Sequence, residues 1–384
     1  MKIFNKNYFS NKNKILAGIF ILVLVLPSIS YPFVKSKADI ELNEKRELNK
    51  LSLEFDKFGE KFEDYYNDHI PFRSNLIFLY KKLHKGLGGL IPEAITPVVI
   101  ENKVIYGKKG WLFYTGENSE DYYLGNNLLE QNELDSLLNM LVELDEYLIS
   151  QNKKFVLQIL PNKEQIYSEY MPSAYIVKNE YKRIDRIVDY IKANSNIKVV
   201  YPKEELILYK KKYQIYYKYD THHNILGAYI AYSQLLKALN MAFVDLDLIN
   251  INIIKSNSSS FDLGDMILKK VNDDIDYFID YKSDVNLLNH FNPFWNYDEY
   301  QSDSPNKETF LHIGDSFRNA QKQFIYKDFQ KVISWHYENL YNDNSDAVKN
   351  AIKESDVIVF EVVERMDNSL FFASRILELG ICTK

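Results

Sequence analysis

From Asn132 onward the chain alternates short apolar runs with stretches of helical period, and that alternation restricts the fold more than any other feature. Lys154–Leu160 (KFVLQIL), Ile197–Tyr201 (IKVVY), Thr309–Ile313 (TFLHI), Lys331–Trp335 and Asp356–Val363 (DVIVFEVV) read as strands, the first stopped by Pro161. Between them, Leu134–Gln151, Tyr181–Asn194, Ile225–Leu239, Ser316–Phe329 and Asp346–Lys353 carry apolar residues three and four apart, the spacing of an amphipathic helix. Strands apolar on both faces need cover on both, so the expected fold is α/β: a mostly parallel sheet flanked by helices. Residues 241–308, rich in Asn, Asp and Ser, read as an insertion with weak strands. Val104–Gly107 and Gly110–Tyr114 read as a hairpin turning near Lys108-Lys109.

The N-terminal end obeys a different rule. Residues 1–14 hold Lys2, Lys6, Lys12 and Lys14 and no acid, and residues 15–34 follow without a charge. Twenty helical residues span ~30 Å, the hydrocarbon thickness of a bilayer. Ser28-Ile-Ser30 is a poor small-x-small cleavage site, so the run is expected to stay as a single transmembrane anchor, tail inside and domain outside. Residues 35–100 are expected to form a membrane-proximal helical segment, broken at Asn67-Asp-His-Ile-Pro-Phe-Arg73, and residues 101–384 the catalytic domain.

Composition closes several alternatives. The 384 residues carry a net charge of −6, which argues against a nucleic-acid partner. The single Cys382 excludes an internal disulfide and a thiolate zinc site. With 30 Tyr and 23 Phe, aromatics make 15% of the chain; tyrosine faces often line sugar grooves, though Asn, Lys, Ile and Tyr together also track an AT-rich coding sequence.

In a parallel sheet ligands meet the carboxyl ends of strands. There TFLHI runs through Gly314-Asp315-Ser316 into a helix, a turn that would expose the serine above unpaired helix N–H groups; Asp315 or Ser316 could equally be a cap. Tyr219-Asp-Thr-His-His-Asn224 follows the second strand: Asp220 and His222, two apart on a loop, can supply an oriented base for a serine, and a metal pair of His222 with His223 is the weaker reading because adjacent side chains diverge. Lys163 after the first strand, Tyr337 after the fourth and Arg365 after the fifth are candidates for contact with substrate; Arg365 could instead pair with Glu364.

These pieces give the chain a family likeness. Gly107-Lys-Lys-Gly-Trp-Leu-Phe-Tyr114, Pro161-Asn-Lys-Glu-Gln-Ile-Tyr167, Asp220-Thr-His-His-Asn224 with Gly227-Ala228, Gly314-Asp-Ser-Phe317 and Val359-Phe-Glu-Val-Val-Glu-Arg365 stand in the order found in the SGNH-type polysaccharide O-acetyltransferases. The chain resembles that family, in particular its alginate O-acetyltransferase group and the DHHW proteins, and Asn67–Arg73 is similar to the group's membrane-proximal segment. The Asp/His block precedes Ser316, which resembles the group's circularly permuted motif order. The resemblance implies Ser316 as nucleophile, His222 as base and Asp220 as its orienter, with no cofactor and no metal. It implies an exopolysaccharide acceptor and an acetyl donor delivered by a multispanning membrane acyltransferase. His223 stands where the family has another aromatic, and Glu364-Arg365 where the permuted order puts the oxyanion Asn. An esterase with the same three residues and a non-catalytic polysaccharide-binding scaffold are the alternatives.

Overall fold

The structure, a computed structural model, describes residues 100–256, 261–267, 274–292, 297–341 and 345–381, with a few isolated positions before residue 100. The chain divides into Met1–Thr96 and Pro97–Lys384, and the second unit holds the elements below. The expected anchor over 15–34, the segment 35–100 and its Asn67–Arg73 motif fall almost wholly outside the described residues. Among the described residues no helix is long and apolar enough to cross a membrane.

Strands β1 (Ile100–Glu101), β2 (Val104–Tyr106) and β3 (Leu112–Tyr114) make a small antiparallel sheet, of which the expected hairpin is two strands. The chain then lays down β4 (Lys154–Leu160), β5 (Lys198–Val200), β6 (Ile251–Lys255), β7 (Ile275–Ile279), β8 (Leu287–Phe291), β9 (Tyr297–Ser302), β10 (Thr309–Gly314), β11 (Lys331–His336) and β12 (Val357–Val363). The main sheet has the order β5-β4-β12-β10-β11-β9-β8. Its first five strands are parallel, as the apolar runs predict. The last two are antiparallel additions from the 241–308 insertion, so the sheet is mixed.

Parity along the strands sorts the core into two layers. In β12, Val357, Val359 and Val363 face one layer while Ile358, Phe360 and Val362 face the other. Helices Ile225–Ala238 and Arg318–Asp328 cover the first layer, and Gln131–Ser150, Arg183–Asn194 and Ser345–Glu354 the second. Gln131–Ser150 shows the cause plainly: Leu134, Leu137, Leu138, Leu141, Leu144 and Leu148 fall on one stripe and are all buried. Each such side chain contributes on the order of 1.5–3 kcal/mol. Glu130 and Glu133 close its N-terminus as a capping box.

The five parallel strands end at one rim. That rim receives Asn162 after β4, the loop to Asn224 after β5, Ser316 after β10, His336 at the end of β11 and Glu364 after β12.

Candidate active site

Ser316 sits on the turn between β10 and the helix Arg318–Asp328, two residues before that helix begins, and is exposed. Three groups fix the turn. Gly314 must be glycine, because a Cβ there would stand 2.9 Å from Glu361 Cβ on β12. The buried Asp315 carboxylate accepts the Phe317 N–H at 2.9 Å and the Val363 N–H at 2.6 Å, tying the turn to the end of β12. The buried Arg318 guanidinium donates to the Asp315 carbonyl at 2.7 Å. Asp315 is therefore a clamp across two strands more than a cap. Of the N–H groups at the start of the helix, that of Phe317 is consequently occupied, whereas the Ser316 N–H has no partner among the described residues.

The second block is built as a narrow loop. Tyr216 bridges His223, the Asn224 N–H donates to the Ile215 carbonyl and the Tyr217 N–H to the His222 carbonyl. Asn224 caps Ile225–Ala238 by accepting the Gly227 N–H, and any Cβ on Gly227 would stand 2.3 Å from the Ile215 carbonyl oxygen. The Asp-x-His-His-Asn…Gly spacing is thus a hairpin, a cap and a close backbone approach in sequence.

Across 94 residues of chain, His222 Nε2 lies 2.7 Å from Ser316 Oγ. His222 Nδ1 lies 2.6 Å from Asp220 Oδ1, which also accepts the His222 backbone N–H at 2.9 Å. The structure therefore brings Asp220, His222 and Ser316 into one hydrogen-bonded run at the rim. The carboxylate at Nδ1 selects the tautomer that leaves Nε2 free to accept the serine proton. Burial by itself would raise the Asp220 carboxyl, but the hydrogen bond and charge of His222 outweigh it and hold the group at about 2. Burial likewise works against His222 protonation, and is outweighed by Asp220 and then by Asp262, so the imidazole stays protonated to higher pH than usual. A more basic imidazole is the better proton acceptor once deprotonated.

Asp262, on the short helix Asp262–Met266 inside the insertion, escaped sequence reasoning because nothing in that Asn-, Asp- and Ser-rich stretch marks it. Its Oδ2 lies 3.6 Å from His222 Nδ1. Ligand atoms of Asp220, His222 and Asp262 fall within 4.8 Å of one another, but the carboxylate oxygens already accept N–H and O–H donors of the loop. His223 does not join this cluster. Its ring is buried edge-on against Phe317 and Tyr216, neither nitrogen has a partner among the described residues, and burial beside the charge of His222 depresses it to about 3.

Two of the candidate substrate contacts are corrected. Lys163 is buried and spends its ammonium on backbone carbonyls of Tyr217, Lys218 and Asp220, at 3.2, 3.4 and 2.6 Å. It braces the loop from below, over the rings of Trp111 and Phe113, which brings the Gly-Trp-Leu-Phe and Pro-Asn-Lys motifs together in space. Tyr337 is 3% exposed and packs on His336 and Phe372, so it belongs to the wall's interior. Arg365 stays near the rim, half-wrapped: it donates to Asn162 Oδ1 at 3.1 Å and lies over the rings of Tyr114 and Phe317. The alternative pairing of Arg365 with Glu364 is not among the Glu364 contacts: that buried carboxyl accepts the Asn162 N–H at 3.0 Å.

Comparison with known proteins agrees with the motifs. Residues 104–249 match the family model described as "SGNH hydrolase-like domain, acetyltransferase AlgX". That stretch contains Asp220 and His222 and ends before Ser316. Among solved structures, Bacillus cereus PatB1 with a sulfonyl adduct is 13% identical at a TM-score of 0.50, over 72% of this chain and 97% of that one. A DHHW family protein from Eubacterium siraeum DSM 15702 is 15% identical at 0.50, over 74% and 97%. The O-acetyltransferase domain of Pseudomonas putida AlgJ is 16% identical at 0.44, over 72% and 99%. At these identities the likeness is one of fold. No curated protein sequence matches the chain.

Proposed function

We propose that this enzyme, an acyltransferase by its SGNH hydrolase-like acetyltransferase domain, transfers an acetyl group to a hydroxyl of a secreted or cell-surface polysaccharide through an acyl-enzyme on Ser316. The observation that carries the reading is the run Asp220–His222–Ser316, at 2.6 and 2.7 Å, with the serine exposed at the sheet rim.

In the first half-reaction Ser316 Oγ attacks the acetyl carbonyl of the donor while His222 Nε2 takes its proton. The C–O bond to the enzyme forms, the donor's leaving group departs, and His222 returns the proton to it. In the second, a sugar hydroxyl gives its proton to His222 and attacks the acyl-enzyme, and Ser316 recovers the proton as the ester leaves. The Ser316 N–H, without a partner among the described residues, is the donor this reading assigns to the developing oxyanion; such a donor is worth on the order of 3 kcal/mol. The guanidinium of Arg365, beside Phe317, adds positive potential at the same wall.

The charge-free run 15–34 supports a single-pass anchor with residues 101–384 outside the cell, where a polymer hydroxyl is the available acceptor. The acetyl group then has to cross the membrane, which calls for a multispanning acyltransferase as donor partner.

The test uses the full chain in detergent with a chromogenic acetyl ester, with and without oligosaccharides. Acceptor-dependent formation of acetylated sugar supports transfer, and acetate release indifferent to acceptor would show an esterase. Ser316→Ala and His222→Ala should each abolish polymer acetylation in cells; unchanged acetylation would instead indicate a scaffold.

A further inference from the structure

Among the described residues, Asp262 of the insertion 241–308 meets the proton relay, and its contacts there are numerous. The Asp262 N–H donates to Asp220 Oδ2 at 2.9 Å. Its Oδ1 accepts the Thr221 N–H at 2.8 Å, and its Oδ2 accepts the Thr221 hydroxyl. The same Oδ2 stands 3.6 Å from His222 Nδ1. One residue thus engages all three consecutive positions 220, 221 and 222. By occupying Asp220 Oδ2 it leaves Oδ1 as the oxygen for Nδ1.

We propose that Asp262 is a positioning residue of the acyl-transfer site, a second carboxylate behind His222 that holds the Asp220–Thr221–His222 turn in register and sets its oxygen 3.6 Å from Nδ1. This rests on the reading of Ser316 as an acylated nucleophile. The charged and titratable groups around Asp262 are Asp220 and His222 on the loop, Lys163 beneath it and Tyr114 on β3, with Arg365 also acting on His222. Two of these are cations, but Lys163 is committed to backbone carbonyls and Arg365 to Asn162 and, at 3.6 Å, to the Glu117 carboxylate. Asp262 is left to act on Nδ1.

The test follows covalent labelling of Ser316 in the full-length protein by an arylsulfonyl fluoride across pH. Labelling forms the Oγ–S bond, releases fluoride and passes the serine proton to His222. It therefore needs the relay and no acceptor. For Asp262→Asn we expect a plateau rate lower by about 10- to 100-fold, the scale of a misplaced catalytic group, and an acidic limb moved to lower pH. Thr221→Val, which keeps both carboxylates but removes one anchor, should lower the plateau and leave the limb in place. An Asp262→Asn protein with wild-type melting, plateau and limb overturns the inference. If that variant does not fold, a Thr221→Val protein with an unchanged plateau overturns the positioning role. Wild-type protein whose labelling is no faster than that of Ser316→Ala fails at the nucleophile, and so refutes the parent reading first.

Discussion

Replacing Asp220 by Asn keeps the shape of the side chain and changes only one oxygen to an N–H2. The site leaves no room for that change. Oδ1 accepts both the His222 Nδ1–H and the His222 backbone N–H, and Oδ2 accepts the Asp262 N–H. One amide rotamer sets its N–H2 against the Asp262 N–H; the other sets it against the His222 groups and drives the imidazole to the tautomer whose Nε2 carries a proton. The first rotamer keeps the useful tautomer but opposes two donors in a buried place, costing about 1–3 kcal/mol. Either one loses the charge that steadies the imidazolium. Against the pull of burial, the hydrogen bond and charge of His222 hold the carboxyl below its ordinary value, and that stabilisation of the ion pair goes with the charge. The opposed donors alone correspond to a fall in kcat/KM of about 5- to 150-fold, and the lost charge deepens it. Initial rates of acetyl-ester turnover by full-length Asp220→Asn, corrected for folded fraction by circular dichroism, give the number. A loss under about fivefold with an unchanged pH profile would refute the claim that Asp220 acts through Nδ1.

Three further outcomes follow from the same geometry. Because the fold raises the His222 pKa, its contribution to stability is present below about 6.5 and fades as pH rises through the higher folded value; activity needs the neutral ring, so kcat/KM should climb through a midpoint above 6.5, and a midpoint below it would contradict the two-carboxylate setting. His223 has the opposite sign: depressed from 6.5 to about 3 by burial, it stabilises the fold above pH 6.5 and loses up to roughly 4–5 kcal/mol as pH falls towards 3. Urea unfolding of His223→Phe should show a shallower acid limb and no loss at pH 7.5; the buried His312, depressed in the same direction, keeps some limb in place. Lys163→Met leaves three loop carbonyls without their shared donor and should lower acetyl-ester kcat by at least about tenfold, with KM nearly unchanged, because the lysine touches the loop and not the substrate.

The parts of the fold that were legible are those in which one residue type has one physical destination. The five apolar runs became the five parallel strands within two residues of their expected bounds, since Val, Ile, Leu and Phe on both faces admit no exposed solution. Ser316, His222 and Asp220 were legible because short polar blocks at the ends of such runs can only gather at the rim. Lys163 and Tyr337 were misplaced for the converse reason. A lysine or tyrosine at a strand end can point into the cleft or fold beneath it, and which one it does depends on distant partners: the carbonyls of Tyr217 to Asp220 for the lysine, Phe372 for the tyrosine. Whether the insertion extends the main sheet was equally hidden, because β8 (LLNHF) and β9 (YDEYQS) lack the strict alternation of a half-buried strand.

Asp262 marks the deeper limit. Its role is set by a helix of five residues in a segment whose composition resembles a solvated loop, and by contacts that close only when that segment folds back on the Asp-Thr-His turn. A motif is readable when its members are held by one stretch of backbone, as Asp220 and His222 are; a charge brought from 40 residues away is not, however close it finally lies to Nδ1. The same separation has a kinetic consequence. The relay between Ser316 and His222 joins elements 94 residues apart and is buttressed by a third, so the geometry on which the proposed transfer depends is completed only after the long-range sheet pairings and the insertion are both in place. Variants that loosen the insertion should therefore lose activity before they lose the sheet.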